Sequence, residues 1–187
     1  MPLKTSLFSR VAGRLRWVRG GIEPITAGGS TKWITWPALT SLTAGTDVTP
    51  VDGTRYTCEI FVPYNMIMTG IGYLIGTAGG TDKAIAELHD ADGTLLAYSA
   101  VAGVTVGTLA TFQELPFTAP VEVIGPQKYY LSITMNGTTA RLRTIPTALG
   151  VSQTLTTKSA TGTFGTVGAL TVPTTFTAGV GPIAYTY

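Results

Sequence analysis

The stretch that decides the fold is residues 83–98, KAIAELHDADGTLLAY. Alternate positions from 84 to 88 carry Ala, Ala and Leu, which gives the two-residue period of a β-strand. Residues 90–93, DADG, are of the types that favour a tight turn, and residues 94–98 form a second β-like run. The stretch therefore predicts a β-hairpin.

Other short runs of the same kind recur along the chain. Strands are predicted at residues 56–62 (YTCEIFV), 66–75, 112–117, 121–124 and 128–135. Pro120 separates the strand at 112–117 from the strand at 121–124. Asn136-Gly137 predicts a two-residue hairpin that returns through residues 140–145. The chain contains 34 Thr, 23 Gly and 11 Pro, residue types that favour strands and turns. We expect an all-β fold, a jelly-roll-like antiparallel β-sandwich.

The N-terminal residues differ from the rest of the chain in charge. The first 20 residues hold five basic and no acidic residues, a net charge of +5, whereas the other 167 hold 7 basic and 10 acidic residues, a net charge of −3. We predict a basic, extended N-terminal arm over residues 1–30 and a β-sandwich domain over residues 31–187. The arm residues expected to contact a partner are Lys4, Phe8, Arg10, Arg14, Arg16, Trp17 and Arg19.

The composition of the arm excludes one targeting signal and leaves other interpretations open. Arginines interrupt every apolar run of residues 1–21, so a secretory signal peptide is not expected. On a helix, the arginines at positions 10 and 14 would fall beside or within the apolar stripe, which weakens the transit-peptide and membrane-surface interpretations. A solvated basic terminus and an arm that docks on another protein's acidic surface both remain. We expect no nucleic-acid and no membrane partner.

The sequence carries no recognisable catalytic or metal-binding motif. One His and one Cys exclude a zinc cluster within one chain. His89 is expected to be a structural or exposed strand residue, and Cys58 to be a buried thiol on an apolar strand face. The DADG turn lacks the later ligands of a calcium loop, and the Gly-rich residues 76–83 lack the Gly-Lys-Ser/Thr ending of a phosphate loop. We expect no enzyme activity, no cofactor and no metal.

Two further hypotheses concern carboxylates and aromatic side chains. A hydrolase would need Glu59, Glu87 or Glu114 to converge in a cleft. A glycan-binding module would need aromatic side chains exposed together, and Trp33 and Trp36 form the predicted exposed patch.

The C-terminal segment is expected to be packed. Residues 147–187 hold a single charged residue, Lys158, and several aromatic residues. A segment of this composition is expected to pack on the body of the protein or on another copy.

Several stretches carry a family resemblance: FVP at 61–63, MTGI at 68–71, GTDK at 80–83, ELHDADG at 87–93, FQELPF at 112–117, KYY at 128–130 and GPIAY at 181–185. On these stretches, residues 55–187 resemble the small jelly-roll proteins of tailed-phage virions, which serve as capsid decoration (cement) proteins, head fibres or tail-fibre tips. The functional residues of such proteins are interface surfaces, so no catalytic set is carried over.

The resemblance implies a structural virion protein that is assembled in the host cytoplasm. Its partner would be the major capsid protein or another virion protein, with the basic arm as the anchor. A homo-oligomer such as a trimer is expected. The alternative is a receptor- or glycan-binding module of a tail or head fibre.

Overall fold

The computed structural model describes residues 25–27, 30–34, 46–145, 156–160, 163–172, 174–175, 177 and 179–187. The predicted contact residues of the arm, at positions 4–19, and Trp36 lie outside the described residues. Trp33 lies in a described strand. The domain boundary at residue 30 stays a prediction.

The described residues form thirteen strands and no helix. They are β1 Ile25–Ala27, β2 Ser30–Ile34, β3 Thr46–Val48, β4 Thr54–Val62, β5 Met66–Leu74, β6 Lys83–His89, β7 Leu95–Tyr98, β8 Val104–Thr105, β9 Phe112–Val123, β10 Gln127–Met135, β11 Leu142–Thr144, β12 Thr156–Ala160 and β13 Ala184–Thr186. Within these ranges, no helix has the length and apolarity needed to cross a membrane.

The strands form two main antiparallel sheets. One has five strands in the order β1-β2-β13-β5-β9. The other has six, with the order β12-β4-β10-β6-β7 and β8 paired beside β6, while β11 and β3 form a separate small pair. The predicted fold class, an all-β antiparallel sandwich, is confirmed.

The core lies between the inner faces of the two sheets. Each strand places every second side chain on the same face. In β4 these are Tyr56, Cys58, Ile60 and Val62, all buried as predicted. Residues 84, 86 and 88 of β6 and 129, 131 and 133 of β10 continue this apolar face. Cys58 is a buried free thiol within it.

The hairpin at residues 83–98 is present as predicted. Strands β6 and β7 pair antiparallel, with Glu87 opposite Tyr98. The carboxylate of Asp90 accepts hydrogen bonds from the backbone N–H groups of Asp92 and Thr94, at 2.9 and 2.8 Å. This is the local bonding that makes Asp a turn residue.

The hairpin predicted around Asn136-Gly137 is wrong. Strand β10 is paired on both edges, with β4 on one side and β6 on the other, so residues 140–145 have no free edge to join. They cross instead to the small sheet, where β11 pairs with β3. The carboxylate of Asp82 accepts the N–H groups of Thr139 and Ala140, both at 2.8 Å, and supports this crossing.

The two strands predicted on either side of Pro120 are one strand, β9. The register with β5 shifts between them, because Pro116 pairs with Gly70 and Val121 pairs with Met68. Pro120 lies inside this irregularity, where the sheet needs no N–H from that position.

Residues 179–187 pack on the body, which is one of the two outcomes expected for the C-terminal segment, while residues 147–155 of that segment lie outside the described residues. Strand β13 inserts between β2 and β5. The ring of Tyr185 lies on Gly72, where a Cβ would approach the ring to 2.3 Å, and Tyr187 lies similarly on Gly70. Only glycine permits these two close approaches.

Candidate functional site

Part of the outer face of the six-stranded sheet is polar and nevertheless buried. This face carries the side chains that alternate with the core residues, among them Arg55 and Thr57 of β4, Glu87 and His89 of β6, and Ser132 of β10. All five are among the buried polar residues. Buried polar groups are stable only when they are hydrogen-bonded, so the partners of these side chains define the site.

Arg55, Glu87 and His89 form a polar cluster on this face. The Arg55 guanidinium binds both carboxylate oxygens of Glu87, with Nε 3.1 Å from Oε1 and Nη2 2.7 Å from Oε2. His89 Nε2 lies 3.6 Å from the same Oε2. The three residues are 5%, 1% and 0% exposed. A two-pronged pair of this kind fixes orientation as well as contributing attraction.

Residues 163–172, here called the covering segment, lie over the polar cluster. The carbonyl oxygen of Gly168 accepts hydrogen bonds from Arg55 Nη2 at 3.3 Å and is 3.0 Å from His89 Nε2. The Gly168 N–H donates to Glu87 Oε2 at 3.3 Å, and the Ala169 carbonyl accepts from Arg55 Nη1 at 3.2 Å. The cluster therefore holds this segment through its backbone alone.

Two further contacts fasten the covering segment to turns of the sheet. The Leu170 N–H donates to the Gly93 carbonyl at 2.7 Å, and Leu170 is buried. At the other end, the Phe164 ring packs against Gly103, where a Cβ would come within 2.7 Å of it. The segment thus crosses from the β7–β8 turn to the β6–β7 turn.

The ionisation of Glu87 follows from its surroundings. Burial acts to raise its pKa, but the His89 ring and the positive charge and hydrogen bonds of Arg55 outweigh burial, and the pKa lies below the usual 4.5. Glu87 is therefore a carboxylate at neutral pH.

The polar cluster serves as an attachment site for the covering segment. Because His89 Nε2 faces a carbonyl oxygen, it carries the proton in this arrangement, and Nδ1 has no hydrogen-bond partner within the described part of the chain. A neighbouring pair, Thr57 and Ser132, shares a hydroxyl hydrogen bond of 2.8 Å. No group of three or more His, Cys, Asp or Glu suited to a metal ion occurs among the residues the structure describes.

The three glutamates of the hydrolase hypothesis are not brought together. Glu59 pairs with Lys128 at 3.6 Å, Glu87 with Arg55, and Glu114 accepts a hydrogen bond from the Tyr185 hydroxyl at 2.9 Å. Glu114 belongs to the five-stranded sheet, and β10 separates the strands of the other two glutamates.

A second feature, here called the end patch, is an exposed apolar surface at one end of the sandwich. It consists of Tyr64, Ile67 and Ile124, which are 42%, 65% and 63% exposed. Ile67 pairs with Glu122 near the end of β9, and Ile124 is the first residue after that strand. The backbone of Tyr64 lies against Gly125, where a Cβ would be 2.3 Å from the Tyr64 nitrogen. Phe61, 48% exposed, adjoins the patch on the other sheet.

The candidate aromatic residues that the structure describes do not lie together on a single exposed surface. Tyr73, Tyr129 and Tyr130 are buried, and Trp33 lies in β2, which pairs with the C-terminal strand. The exposed aromatics of the described residues include Phe61 and Tyr64, which share the end near the β4–β5 turn.

Sequence reasoning missed the role of Arg55, Glu87 and Gly168. A usable signal was present: Arg55, Thr57, Glu87 and His89 are polar residues at alternate positions of strands that are otherwise apolar. That pattern is also what a solvent-exposed face would show, and only the covering segment distinguishes the two.

The sequence matches the family described as domain of unknown function DUF4082 over residues 53–180, which is 128 of the 187 residues. The match includes the polar cluster, the covering segment and the end patch. No curated protein matches the chain at a significant level. The chain therefore belongs to the DUF4082 family of domains of unknown function.

Proposed function

We propose that this chain is a structural, non-catalytic protein of a tailed-phage virion, a capsid decoration (cement) protein that docks on the major capsid protein or another virion protein. The observation that carries the proposal is the end patch, three exposed apolar side chains contributed by the β4–β5 turn, the beginning of β5 and the β9–β10 turn. Contiguous exposed apolar surface of this kind is typical of protein–protein contacts.

The charge distribution of the chain supports the same proposal. A +5 N-terminal stretch precedes a −3 remainder, so the basic arm is suited to an acidic partner surface. The ionisable residues of the polar cluster are engaged with the covering segment rather than directed into an open cleft. Many copies on one shell would make weak individual contacts sufficient, and a homo-oligomer such as a trimer would add to this effect.

Occupancy on purified particles tests the proposal. We expect Ile67→Lys combined with Ile124→Lys to reduce the number of copies bound per particle at least about tenfold, because two buried apolar contacts of about 1.5 kcal/mol each are lost. Deletion of residues 1–21 is expected to reduce occupancy independently. The matched control is Val51→Lys, an exposed apolar residue at the opposite end of β4. Unchanged occupancy for the double variant and for the deletion would reject the docking surface and the anchor, respectively.

The alternative, a receptor- or glycan-binding module of a fibre, is favoured by one observation. Phe61 and Tyr64 expose aromatic side chains at the same end of the molecule, and aromatic faces are suited to stacking on sugars. A glycan array with wild type and Tyr64→Ala tests this alternative. Binding that the substitution abolishes would support it, and absence of any binding to the array would count against it.

A further inference from the structure

The covering segment has an unusual combination of properties. It closes over three ionisable side chains, yet its own sequence, TFGTVGALTV, contains no charged residue. Both backbone polar groups of Gly168 are bound by the polar cluster. The attachment of the segment therefore depends on charges that belong to the sheet.

Glu87 is the group on which these contacts depend. Its carboxylate holds the Arg55 guanidinium through two hydrogen bonds and also accepts the Gly168 N–H. If the carboxylate is protonated, it no longer balances the charge of Arg55, and a buried cation without a counter-charge is strongly unfavourable. Opening the covering segment admits water and removes that cost.

His89 is held within the same arrangement. Its Nε2 faces the Gly168 carbonyl and its Nδ1 is buried without a partner among the described residues. Acid disfavours the closed arrangement through the loss of the Glu87 carboxylate.

Apart from Asp90, the other groups that face Glu87 and His89 do not change charge in acid. In the register, Tyr98 of β7 lies opposite Glu87, and Tyr130 of β10 lies opposite His89. Ser159 of β12 is opposite Arg55, and Ser132 of β10 is opposite Glu87. Asp90, which follows His89, is bonded within its own turn.

We propose that the polar cluster is an acid-sensitive attachment site, which at low pH releases the covering segment, residues 163–172, from the outer face of the sheet while the two sheets remain folded. The core cluster between the sheets is built from apolar side chains. These core contacts are less sensitive to low pH than the polar cluster is, so the covering segment separates first.

Amide hydrogen exchange of the full-length chain tests the proposal. The reporters are the Gly168 and Leu170 amides of the covering segment, and the reference is the Leu131 amide in the centre of the sheet. In wild type, we expect the protection factors of both reporters to fall at least about tenfold as the pH decreases from 7 to below about 4.5, while that of Leu131 is retained. Simultaneous loss at all three amides, or retention at all three, would overturn the proposal.

Two variants distinguish the contribution of the polar cluster from the general effects of low pH on the protein. Glu87→Gln is expected to show the low protection of both reporters already at pH 7. Glu59→Gln is the matched control, since it makes the same change on the same sheet face in a partly exposed glutamate, and it is expected to behave as wild type. Full protection of the reporters in a folded Glu87→Gln would contradict the proposal. If that variant does not fold, the wild-type pH series decides alone.

Discussion

The inner face of the six-stranded sheet and the part of its outer face around Arg55, Glu87 and His89 are both buried, but by different means. The inner face packs apolar side chains against the second sheet, and its burial needs no directional bonds. The outer face buries Arg55, Glu87 and His89 under a segment more than 70 residues away in the sequence. Apolar packing tolerates small adjustments, whereas the outer face is stable only while every charge keeps its partner. The two faces therefore differ in how strongly the loss of one interaction destabilises them.

The largest expected effect comes from removing one charge of the outer face. Arg55→Met should lower the free energy of unfolding by about 3–5 kcal/mol, because it leaves the Glu87 carboxylate buried without its partner. Denaturant unfolding measures this change. Lys128→Met, which removes the partner of the more exposed Glu59, should cost less than about 1 kcal/mol. Equal costs for both variants would show that burial of the outer face has no energetic consequence.

The inner face is tested by adjacent residues that point in opposite directions. Leu131→Ala should cost about 2–5 kcal/mol, because the deleted atoms leave a cavity between the sheets. Ser132→Ala, next in the chain but on the outer face, loses the hydroxyl bond to Thr57 and should cost about 1 kcal/mol. The same unfolding measurement compares them, and a reversed order would contradict the assignment of faces.

A smaller effect is expected at the turn that holds the covering segment. Gly93 has a φ of 85°, and a Cβ there would lie 2.0 Å from the Leu170 carbonyl oxygen. Gly93→Ala should therefore cost about 1–3 kcal/mol through backbone strain and displacement of the segment. Gly168→Ala has nothing within 4 Å of its added Cβ and should stay within about 0.5 kcal/mol of wild type. Differential scanning calorimetry on both variants checks the contrast.

The smallest expected effect requires only a change of pH. Because the pKa of Glu87 is lowered on folding from an ordinary 4.5, its ionised form stabilises the protein above that value. This contribution is lost as the pH falls through the folded pKa. The stability advantage of wild type over Glu87→Gln, measured by unfolding at several pH values, should be constant above about pH 6 and should narrow below about 4.5. If the stability advantage of wild type increased at low pH, folding would raise the pKa of Glu87 instead of lowering it.

The inner face could be predicted from the sequence because its signal is local. The alternation of Tyr56, Cys58, Ile60 and Val62 identifies a half-buried strand without knowledge of any partner. The hairpin turn at residues 90–93 was likewise predictable, because the bonds of Asp90 are made within four residues.

The outer face could not be predicted in this way, because its partners are distant. A polar residue at an alternate strand position looks the same whether it meets water or the backbone of Gly168. The Asn136-Gly137 hairpin failed for a related reason: the local turn signal was present, but both edges of β10 were already occupied by β4 and β6. The end patch was missed because it combines residues around the β4–β5 turn with a residue of the β9–β10 turn, about 60 residues apart in the sequence.

The distance along the chain between Arg55 and Gly168, 113 residues, has a consequence for synthesis. The strands β4, β6 and β10 are complete once residue 135 has been made, but the segment that covers their outer face follows only after about 30 more residues. During that interval the uncovered surface presents charged and hydroxyl side chains to water, which are gatekeepers against intermolecular strand pairing. The same residues that hold the covering segment in the finished structure therefore disfavour strand pairing between nascent chains before closure.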